Sequence, residues 1–302
     1  MSMEVSRVQR KSTRLSITEP MLLLVAIFWG TSYGLTKEAL LFTSVFLFIA
    51  IRFSLTFILM LPILINDFRQ GLNRDWRVAV PTGVILSAIF FCEVLGVSQT
   101  TASNAAFLIS LSVILTALLE VIINKRNVSI LLYVLAIASI TGVFMLTRNT
   151  KEQFSLNTGD YFILIAACLR AIMVTTTKRL VVNREIATTS LTALQSLIVA
   201  LSSLVITGFY LPLEDIHIPN KVEFWFIIMY LVIFCTLFAF FAQNYAVRRT
   251  SPTRVSLLMG SEPLFGALFA VIWLQESLSF IQMLGGVIIV VCVITTSLKV
   301  KS

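Results

Sequence analysis

The stretch RVSLLMGSEPLFGALFAVIWLQE near the end of the chain carries an acid, Glu262, inside an apolar run. Its length suits a bilayer crossing of roughly 20 apolar residues, and a carboxylate at that depth usually faces a cavity or a partner. Pro263 lacks an N–H, so we expect the helix to bend or loosen there, with Gly260 and Pro263 as gating or structural positions. Helical spacing places Gly266 and Ala270 on the face of the acid, which either packs closely on a neighbour or leaves room. Glu262 is therefore a substrate-binding candidate or a neutral, hydrogen-bonded group in a kinked helix.

A second charge inside an apolar run is Arg170, in IAACLRAIMV. An arginine in the membrane interior needs a partner or water. Glu262, Glu93 and Glu120 could meet it, and we expect Glu262 or Glu93 to pair with it in a cavity. A zwitterionic amino acid could then place its carboxylate on Arg170 and its ammonium on one of the two acids. The alternative is a static ion pair that only fixes helix packing.

Trp29, Tyr33 and Lys37 follow one another at four-residue intervals and share one helix face. Trp29 and Tyr33 are candidates for an aromatic substrate wall or a cation–π partner, although an ordinary packed face fits the same spacing. Lys37 is a gating or structural candidate, as is Lys178.

Three more polar residues in apolar runs are gating or structural candidates. Arg52 is expected to reach the outer interface or to cap helix ends. Gln243 and Asn244, near the end of an apolar run, either contribute to an inner gate or are solvated helix-end side chains.

Composition indicates a polytopic membrane protein and argues against several other classes of protein. Hydrophobic residues make up 58% of the 302 and charged residues 13%, against about 45–50% and 25% in soluble domains. The net charge of +8 comes mostly from residues between apolar runs, so nucleic acid is not an expected partner. With one histidine, His217, no spaced cysteine pair among Cys92, Cys168, Cys235 and Cys292, and no phosphate-binding loop, we expect buried free thiols, no metal, no cofactor and no enzyme activity.

Hydropathy predicts ten membrane spans with short connections. They lie at about 20–38, 43–65, 77–98, 102–123, 128–147, 159–181, 188–210, 222–247, 253–274 and 278–298. The tails and connecting segments together place 17 Lys and Arg on the side of the N-terminus and four on the other side. This bias predicts a multi-pass protein of the inner (plasma) membrane with both termini cytoplasmic, and only an even number of spans agrees with it.

The two halves of the chain repeat. Residues 246–276 align without gaps on 96–126 at an offset of 150, and the first span aligns with the sixth at an offset of about 141, which pairs Lys37 with Lys178 and Trp29 with Arg170. Five spans per copy is odd, so the second copy enters the membrane inverted, as in many secondary transporters. We therefore predict an all-α protein of ten transmembrane helices, arranged as two inverted five-helix repeats around a central cavity. The predicted units are a cytoplasmic tail 1–19, repeats 20–147 and 159–298, an outer linker 148–158 and a cytoplasmic tail 299–302.

Four local patterns, together with this repeat, carry a family resemblance. They are WGTSYGLTK, FIAIRF, GVSQTTASNAAFL and SEPLFGALFAVIWLQE. Nearly the whole chain after residue 19 resembles the EamA-type, ten-helix branch of the drug/metabolite transporter superfamily. The resemblance implies a cavity lined mainly by spans 1, 3, 4, 6, 8 and 9, and members that export amino acids or other small polar metabolites, while some carry drugs or nucleotide-linked substrates. Arg170, in the place of Trp29, is a departure that adds a charge to the cavity.

The sequence thus predicts a carrier that exports an amino acid or a similar small polar metabolite by alternating access. Two other transport functions stay open: export of cationic or aromatic drugs through Trp29, Tyr33 and Glu262, and uptake of nucleotide-like metabolites on Arg170, Arg52 and Lys37. A lipid scramblase or an intramembrane enzyme would belong to a different class. Proton antiport and downhill exchange both fit the sequence. The expected partners are a small molecule and the lipid bilayer, and a monomer is compatible with this plan.

Overall fold

The computed structural model describes residues 18–124, 130–146, 156–210 and 217–299, which form helices and short connections. The predicted tails 1–19 and 299–302 and the linker 148–158 lie mostly outside the described residues. The helices are α1 (Thr18–Ala39), α2 (Val45–Arg69), α3 (Ala79–Gln99), α4 (Ala102–Ile109), α5 (Leu111–Asn124), α6 (Ile130–Leu146), α7 (Thr158–Val181), α8 (Thr188–Tyr210), α9 (Val222–Tyr230), α10 (Ala239–Arg249), α11 (Pro252–Leu258), α12 (Glu262–Ile272) and α13 (Phe280–Lys299). A 3₁₀ turn at Trp76–Val78 precedes α3, and a π-helical segment, Leu231–Phe238, joins α9 to α10.

The ten predicted spans correspond to these helices in chain order. Within the described ranges, six segments are long and apolar enough to cross a membrane: 45–69, 76–99, 102–122, 158–181, 188–210 and 222–249. The others are α1, which carries polar residues such as Thr31 and Lys37 in its second half, and the shorter apolar helices α6, α12 and α13. The fourth span is divided into α4 and α5, and the ninth into α11 and α12. The protein is therefore a polytopic α-helical membrane protein, as predicted.

The two copies pack mainly against each other. The second helix of one copy lies on its counterpart in the other, α2 on α8, and the fifth lies on its counterpart, α6 on α13. Other contacts between the copies also come in pairs that the repeat relates. Helix α1 packs on α12 as α7 packs on α5, and α3 packs on α7 as α10 packs on α1. This exchange of partners is what a twofold relation between inverted copies requires. The interface between the copies consequently forms the interior of the molecule.

Small residues allow α1, α4 and α12 to approach closely. A Cβ atom on Gly30 would lie 2.6 Å from Cβ of Phe265 and 2.8 Å from the carbonyl oxygen of Glu262, and one on Gly266 would collide with Ala106. Ala270 is fully buried. The small residues on the face of Glu262 therefore pack closely against neighbouring helices and do not leave open space there.

The four cysteines are free, but their predicted burial holds for only two. Cys235 and Cys292 are buried, Cys92 is half-buried and Cys168 is exposed. Cys168 lies on α7 two residues before Arg170, on a face that is turned outward from the bundle.

Candidate functional site

Arg170 on α7 binds both of the acids favoured by the sequence. Its Nη1 atom lies 3.2 Å from each carboxylate oxygen of Glu262, and its Nε atom lies 3.5 Å from Oε2 of Glu93 on α3. All three side chains are largely buried. Glu120, the third candidate, does not meet Arg170 and binds elsewhere. The sequence could not choose between Glu262 and Glu93, and the structure uses both.

The aromatic residues of α1 complete this cluster. The guanidinium carbon of Arg170 lies 4.5 Å from the centre of the Trp29 ring, within cation–π range. The Tyr33 hydroxyl donates a hydrogen bond to Oε1 of Glu262. All five residues predicted to bind substrate are therefore in one connected cluster, which we call the Arg170 cluster: Arg170, Glu262, Glu93, Trp29 and Tyr33.

The cluster lies beside two helix breaks. The chain leaves helical geometry between α11 and α12, at Met259–Ser261, and Pro263 occupies the first turn of α12, where its missing N–H is tolerated. The loosening expected beside Glu262 is thus an interruption of the α-helix by a turn, in which the N–H of Glu262 donates to the carbonyl of Met259 (3.0 Å). Ser110 interrupts the fourth span in the same way, between α4 and α5. Ser110 and Gly260 are equivalent in the repeat, since they differ by the offset of 150 (260 − 110).

A small cavity separates the two breaks. It has a volume of about 20 Å³, enough for about one water molecule. Its lining residues come from α1, α4 to α5, α7, α10 and α11 to α12: Trp29, Ser110, Ser112, Val113, Thr116, Arg170, Val174, Gln243, Ser256, Met259, Gly260, Glu262 and Pro263. Its polar wall includes hydroxyl groups that the sequence did not single out. Ser112 could have been found, because the repeat alignment pairs it with Glu262.

A second small cavity, of about 10 Å³, shares Trp29, Arg170 and Gln243 with the first. Its lining residues are Trp29, Leu86, Ile89, Phe90, Glu93, Arg170, Met173, Phe240 and Gln243. The two cavities together are lined by spans 1, 3, 4, 6, 8 and 9, the set that the resemblance implied. Phe90 is one turn before Glu93, so helical spacing was the available signal for its position.

Gln243 and Asn244 are not solvated helix-end residues, and that interpretation is wrong. Both are buried. Gln243 lines both cavities, and Asn244 donates hydrogen bonds to Thr192 Oγ1 (3.0 Å) and Gln195 Oε1 (2.8 Å) on α8. Hydropathy assigned them to the end of a span, but α10 continues to Arg249 and keeps them inside the bundle.

Arg52 does not reach the membrane interface, so the expected snorkelling is also wrong. The residue is 3% exposed. Its Nε atom donates a hydrogen bond of 2.7 Å to Thr236 Oγ1, and its guanidinium stacks on Phe90 at 5.1 Å. Thr236 belongs to the π-helical segment and itself donates to the carbonyl of Leu231. The same segment supplies the carbonyl of Cys235, which accepts a 2.8 Å hydrogen bond from the Trp29 indole.

The two predicted lysines bind equivalent helix ends. Lys37 donates to the carbonyl of Thr100 at the end of α3 (2.7 Å), and Lys178 donates to the carbonyl of Arg248 at the end of α10 (3.2 Å). A cation at the carboxyl end of a helix interacts favourably with its dipole. The two contacts lie at opposite ends of the bundle, which we call the Ala39 end and the Thr18 end after the limits of α1.

Two carboxylates make a second pair of contacts at these ends. At the Ala39 end, Glu276 accepts hydrogen bonds from the N–H of Ala102 and from the N–H and hydroxyl of Ser103, where α4 begins. At the Thr18 end, Glu120 accepts from the N–H of Thr253 (2.9 Å) and from its hydroxyl, where α11 begins. Each acid thus caps the first turn of the broken helix in the other copy. We call these contacts the Glu276 latch and the Glu120 latch.

Across the part of the chain that the structure describes, no group of three or more His, Cys, Asp or Glu residues could hold a metal ion. An inverted pair of helical repeats, with broken helices and charged groups beside a central cavity, is the architecture of a membrane transporter.

Comparison with known proteins also indicates a membrane transporter. The profile of the EamA-like transporter family matches residues 16–148 and 157–298, and the chain belongs to this family. An uncharacterized transporter of Archaeoglobus fulgidus is 28% identical over 296 residues, covering 94% of this chain and 98% of the relative. The uncharacterized transporter YyaM of Bacillus subtilis (strain 168) is 25% identical over 295 residues, covering 92% of each. A protein of known crystal structure shares the fold, with a TM-score of 0.70 and 16% identity over 93% of this chain and 96% of the other.

Proposed function

We propose that this transporter exports amino acids, or similar small polar metabolites, across the inner membrane by alternating access. The observation that carries the proposal is the Arg170 cluster, in which one buried guanidinium is held by two carboxylates between the two copies. A guanidinium binds a carboxylate strongly, and a carboxylate binds an ammonium group, so the cluster offers both partners that a zwitterion needs.

The charges in this region favour a ligand without net charge. In their ionised forms, Arg170 and Arg52 contribute two positive charges, and Glu262 and Glu93 contribute two negative charges. The guanidinium of Arg52 packs on Phe90, one turn from Glu93, so the four groups share one interior region. Transfer of a net charge into a low-dielectric interior is costly, whereas a zwitterion adds one charge of each sign. A purely cationic drug or a nucleotide-like anion would leave the region unbalanced.

The latches supply a route for alternating access. The Glu276 latch and the Lys37 contact hold helices together at the Ala39 end, and the Glu120 latch and the Lys178 contact do so at the Thr18 end. The cavities are too small for an amino acid in this conformation. Release of one latch at a time would widen the cavity towards one side of the membrane. The excess of basic residues supports a cytoplasmic location for the Thr18 end.

Transport by purified protein in proteoliposomes tests the proposal. Wild-type protein is expected to exchange labelled amino acids, and Arg170→Ala to abolish this exchange. Arg184→Ala is the matched control, because Arg184 is an exposed arginine whose ion pair with Asp75 lies in loops. Exchange of cationic drugs that persists in Arg170→Ala would support drug export instead. Transport of nucleotides, or scrambling of labelled lipid without competition by amino acids, would also contradict the proposal.

A double variant separates a binding role from a purely structural one. Arg170→Ala alone leaves two buried carboxylates without their cation and can therefore unfold the protein. Arg170→Gln combined with Glu262→Gln removes one charge of each sign. If the pair only fixes helix packing, the double variant should fold and transport. We expect it to elute as a folded, monodisperse protein and to transport no amino acid.

A further inference from the structure

The two acids that bind Arg170 differ in how completely they are satisfied. Both oxygens of Glu262 contact Nη1 of Arg170, and Tyr33 donates a further hydrogen bond to Oε1. Glu93 Oε2 is 3.5 Å from Arg170 Nε and has no hydrogen-bond partner among the described residues, although the side chain is only 9% exposed. A buried carboxylate oxygen without a donor is unfavourable and is an acceptor available to a ligand.

Aromatic rings surround the cavity that Glu93 faces. Trp29 and Phe240 have ring centres 5.3 Å apart, and Phe90 and Phe240 have ring centres 5.8 Å apart. Ring faces attract ammonium groups, and an acid next to them adds a direct ion pair. Trp29 and Phe90 already contact the guanidinium groups of Arg170 and Arg52 on one side, whereas Phe240 contacts no cation in the described part of the chain. Aliphatic side chains of Leu86, Ile89 and Met173 form the remaining wall of this cavity.

The first cavity, which Arg170 and Glu262 also line, has a different chemistry. Its wall contains the hydroxyl groups of Ser110, Ser112, Thr116 and Ser256. Ser110 and Thr116 donate to backbone carbonyls and Ser256 donates to Thr116 Oγ1, so within the described part of the chain the Ser112 hydroxyl is the one of the four left to donate a hydrogen bond to a carboxylate. The cavity that holds Ser112 therefore suits the carboxylate of a ligand beside Arg170, and the cavity that holds Glu93 suits its ammonium group with apolar substituents.

We propose that Glu93, Trp29, Phe90 and Phe240 form an ammonium subsite, and that the transported ligand is an amino acid with an apolar side chain. In this arrangement Glu93 binds the ammonium group, the three rings contact it and the adjoining carbons, and Arg170 binds the carboxylate. Glu262 acts as a positioning residue, because it holds the guanidinium together with Tyr33. This inference rests on the proposed function and assigns different roles to the two acids.

Kinetics in proteoliposomes test the subsite with leucine, its deaminated acid 4-methylpentanoate and its decarboxylated amine 3-methylbutylamine. In wild-type protein we expect leucine to be transported and both analogues to inhibit weakly. Glu93→Gln should raise the KM for leucine at least about tenfold, and should leave inhibition by 4-methylpentanoate unchanged. Glu223→Gln, an exposed acid at the start of α9, is the control and should leave KM unchanged.

A second variant keeps the inference testable if Glu93→Gln does not fold. Phe240→Leu retains an apolar side chain and removes one aromatic ring. It should therefore weaken the binding of leucine and of 3-methylbutylamine about fivefold, in line with a cation–π contact of about 1 kcal/mol. If Phe240→Leu weakened inhibition by 4-methylpentanoate to the same extent, the subsite would be overturned. A KM for leucine equal to that of the wild type in Glu93→Gln or in Phe240→Leu would also overturn it. If wild-type protein transports no amino acid, the proposed function itself fails, and this outcome is distinct from failure of the subsite.

Discussion

Arg170 and Trp29, which occupy equivalent positions in the two repeats (170 − 29 = 141), contact each other through the guanidinium and the indole ring. Equivalent positions of two copies related by a twofold axis meet only where the axis passes between them. The contact therefore places the Arg170 cluster on the pseudo-twofold axis of the molecule. The equivalent helix breaks at Ser110 and Gly260 line the same cavity, which is consistent with this placement.

The two copies differ in charged residues at the place where they meet. Arg170 and Glu262 in the second copy replace Trp29 and Ser112 in the first, so the charged pair belongs to one copy alone. A symmetric scaffold consequently holds an asymmetric site. Under the proposed function, we expect this asymmetry to favour one orientation of a zwitterionic ligand.

Tyr33 should contribute to transport through Glu262. Tyr33→Phe removes the hydrogen bond to Oε1 of Glu262 and keeps the ring. Hydrogen bonds to charged groups contribute about 1.5–3 kcal/mol, and 1.4 kcal/mol corresponds to a factor of ten. We expect kcat/KM for amino-acid exchange in proteoliposomes to fall about tenfold.

The control for Tyr33 is Tyr230→Phe. The Tyr230 hydroxyl contacts Thr31 Oγ1 at 2.9 Å and lies away from the charged groups of the cluster. Its removal should change kcat/KM less than about twofold. Equal losses in the two variants would show that the Tyr33 hydroxyl has no specific role at Glu262.

The sequence predicts the parts of this structure that depend on polarity along the chain. The spans, the repeat and the pairing of Arg170 follow from hydropathy and from the need of buried charges for partners. The break at Glu262 follows from Pro263. The position of a residue along a predicted span does not reveal which neighbouring helix its side chain contacts. The location of Arg52 was predicted wrongly for this reason, because its partner Thr236 lies 184 residues away in the sequence.

Other features left no local signal. The π-helical segment LVIFCTLF is apolar except for Thr236 and contains neither Gly nor Pro, so nothing in it indicates a departure from an α-helix. Ser110 interrupts its span without a helix-breaking residue on either side. Only its equivalence to Gly260 points to a break. The latches join residues at least 133 positions apart, which is beyond the reach of pattern analysis.

The two latches should control opposite ends of the cavity. Glu276→Gln weakens the bonds to α4 at the Ala39 end, and Glu120→Gln weakens those to α11 at the Thr18 end. A cysteine introduced at Ser110, in a background without the native cysteines, reports access to the cavity. A membrane-impermeant maleimide should label it faster from one face in Glu276→Gln and from the opposite face in Glu120→Gln.

Glu223→Gln provides the control for the latch variants. This exposed acid lies at the Ala39 end, where the neighbouring Phe224 packs against Phe42. Its replacement should leave the labelling rates at the wild-type level from both faces. Faster labelling from the same face in both latch variants would contradict alternating control.

Close approach of α1 and α12 should make Gly30 sensitive to the smallest substitution. Gly30→Ala places a Cβ atom 2.8 Å from the backbone of Glu262 and Gly266, which cannot move away without shifting α12. Overpacking typically costs about 1–3 kcal/mol, so the melting temperature of the purified protein should fall by several degrees. Gly208→Ala on α8 is the control, because its Cβ would meet nothing within 4 Å. It should melt at or slightly above the wild-type temperature, since alanine favours the helix, and a similar loss in both variants would argue against close packing at Gly30.

Thr236 should be more important for stability than its size suggests. Thr236→Val removes the hydroxyl that accepts the hydrogen bond from Arg52 and donates to Leu231 in the π-helical segment. Arg52 is 3% exposed and would then lose a buried acceptor for its charge, at a cost of about 2 kcal/mol.

Thr56→Val is a matched control, because Thr56 is equally buried but its hydroxyl donates only to the carbonyl of Arg52 one turn earlier. Denaturant unfolding in detergent should show a clearly larger loss for Thr236→Val than for Thr56→Val. A free energy of unfolding equal in the two variants would mean that the π-helical segment does not hold Arg52 in place, and that the guanidinium is stabilised mainly by its contact with Phe90.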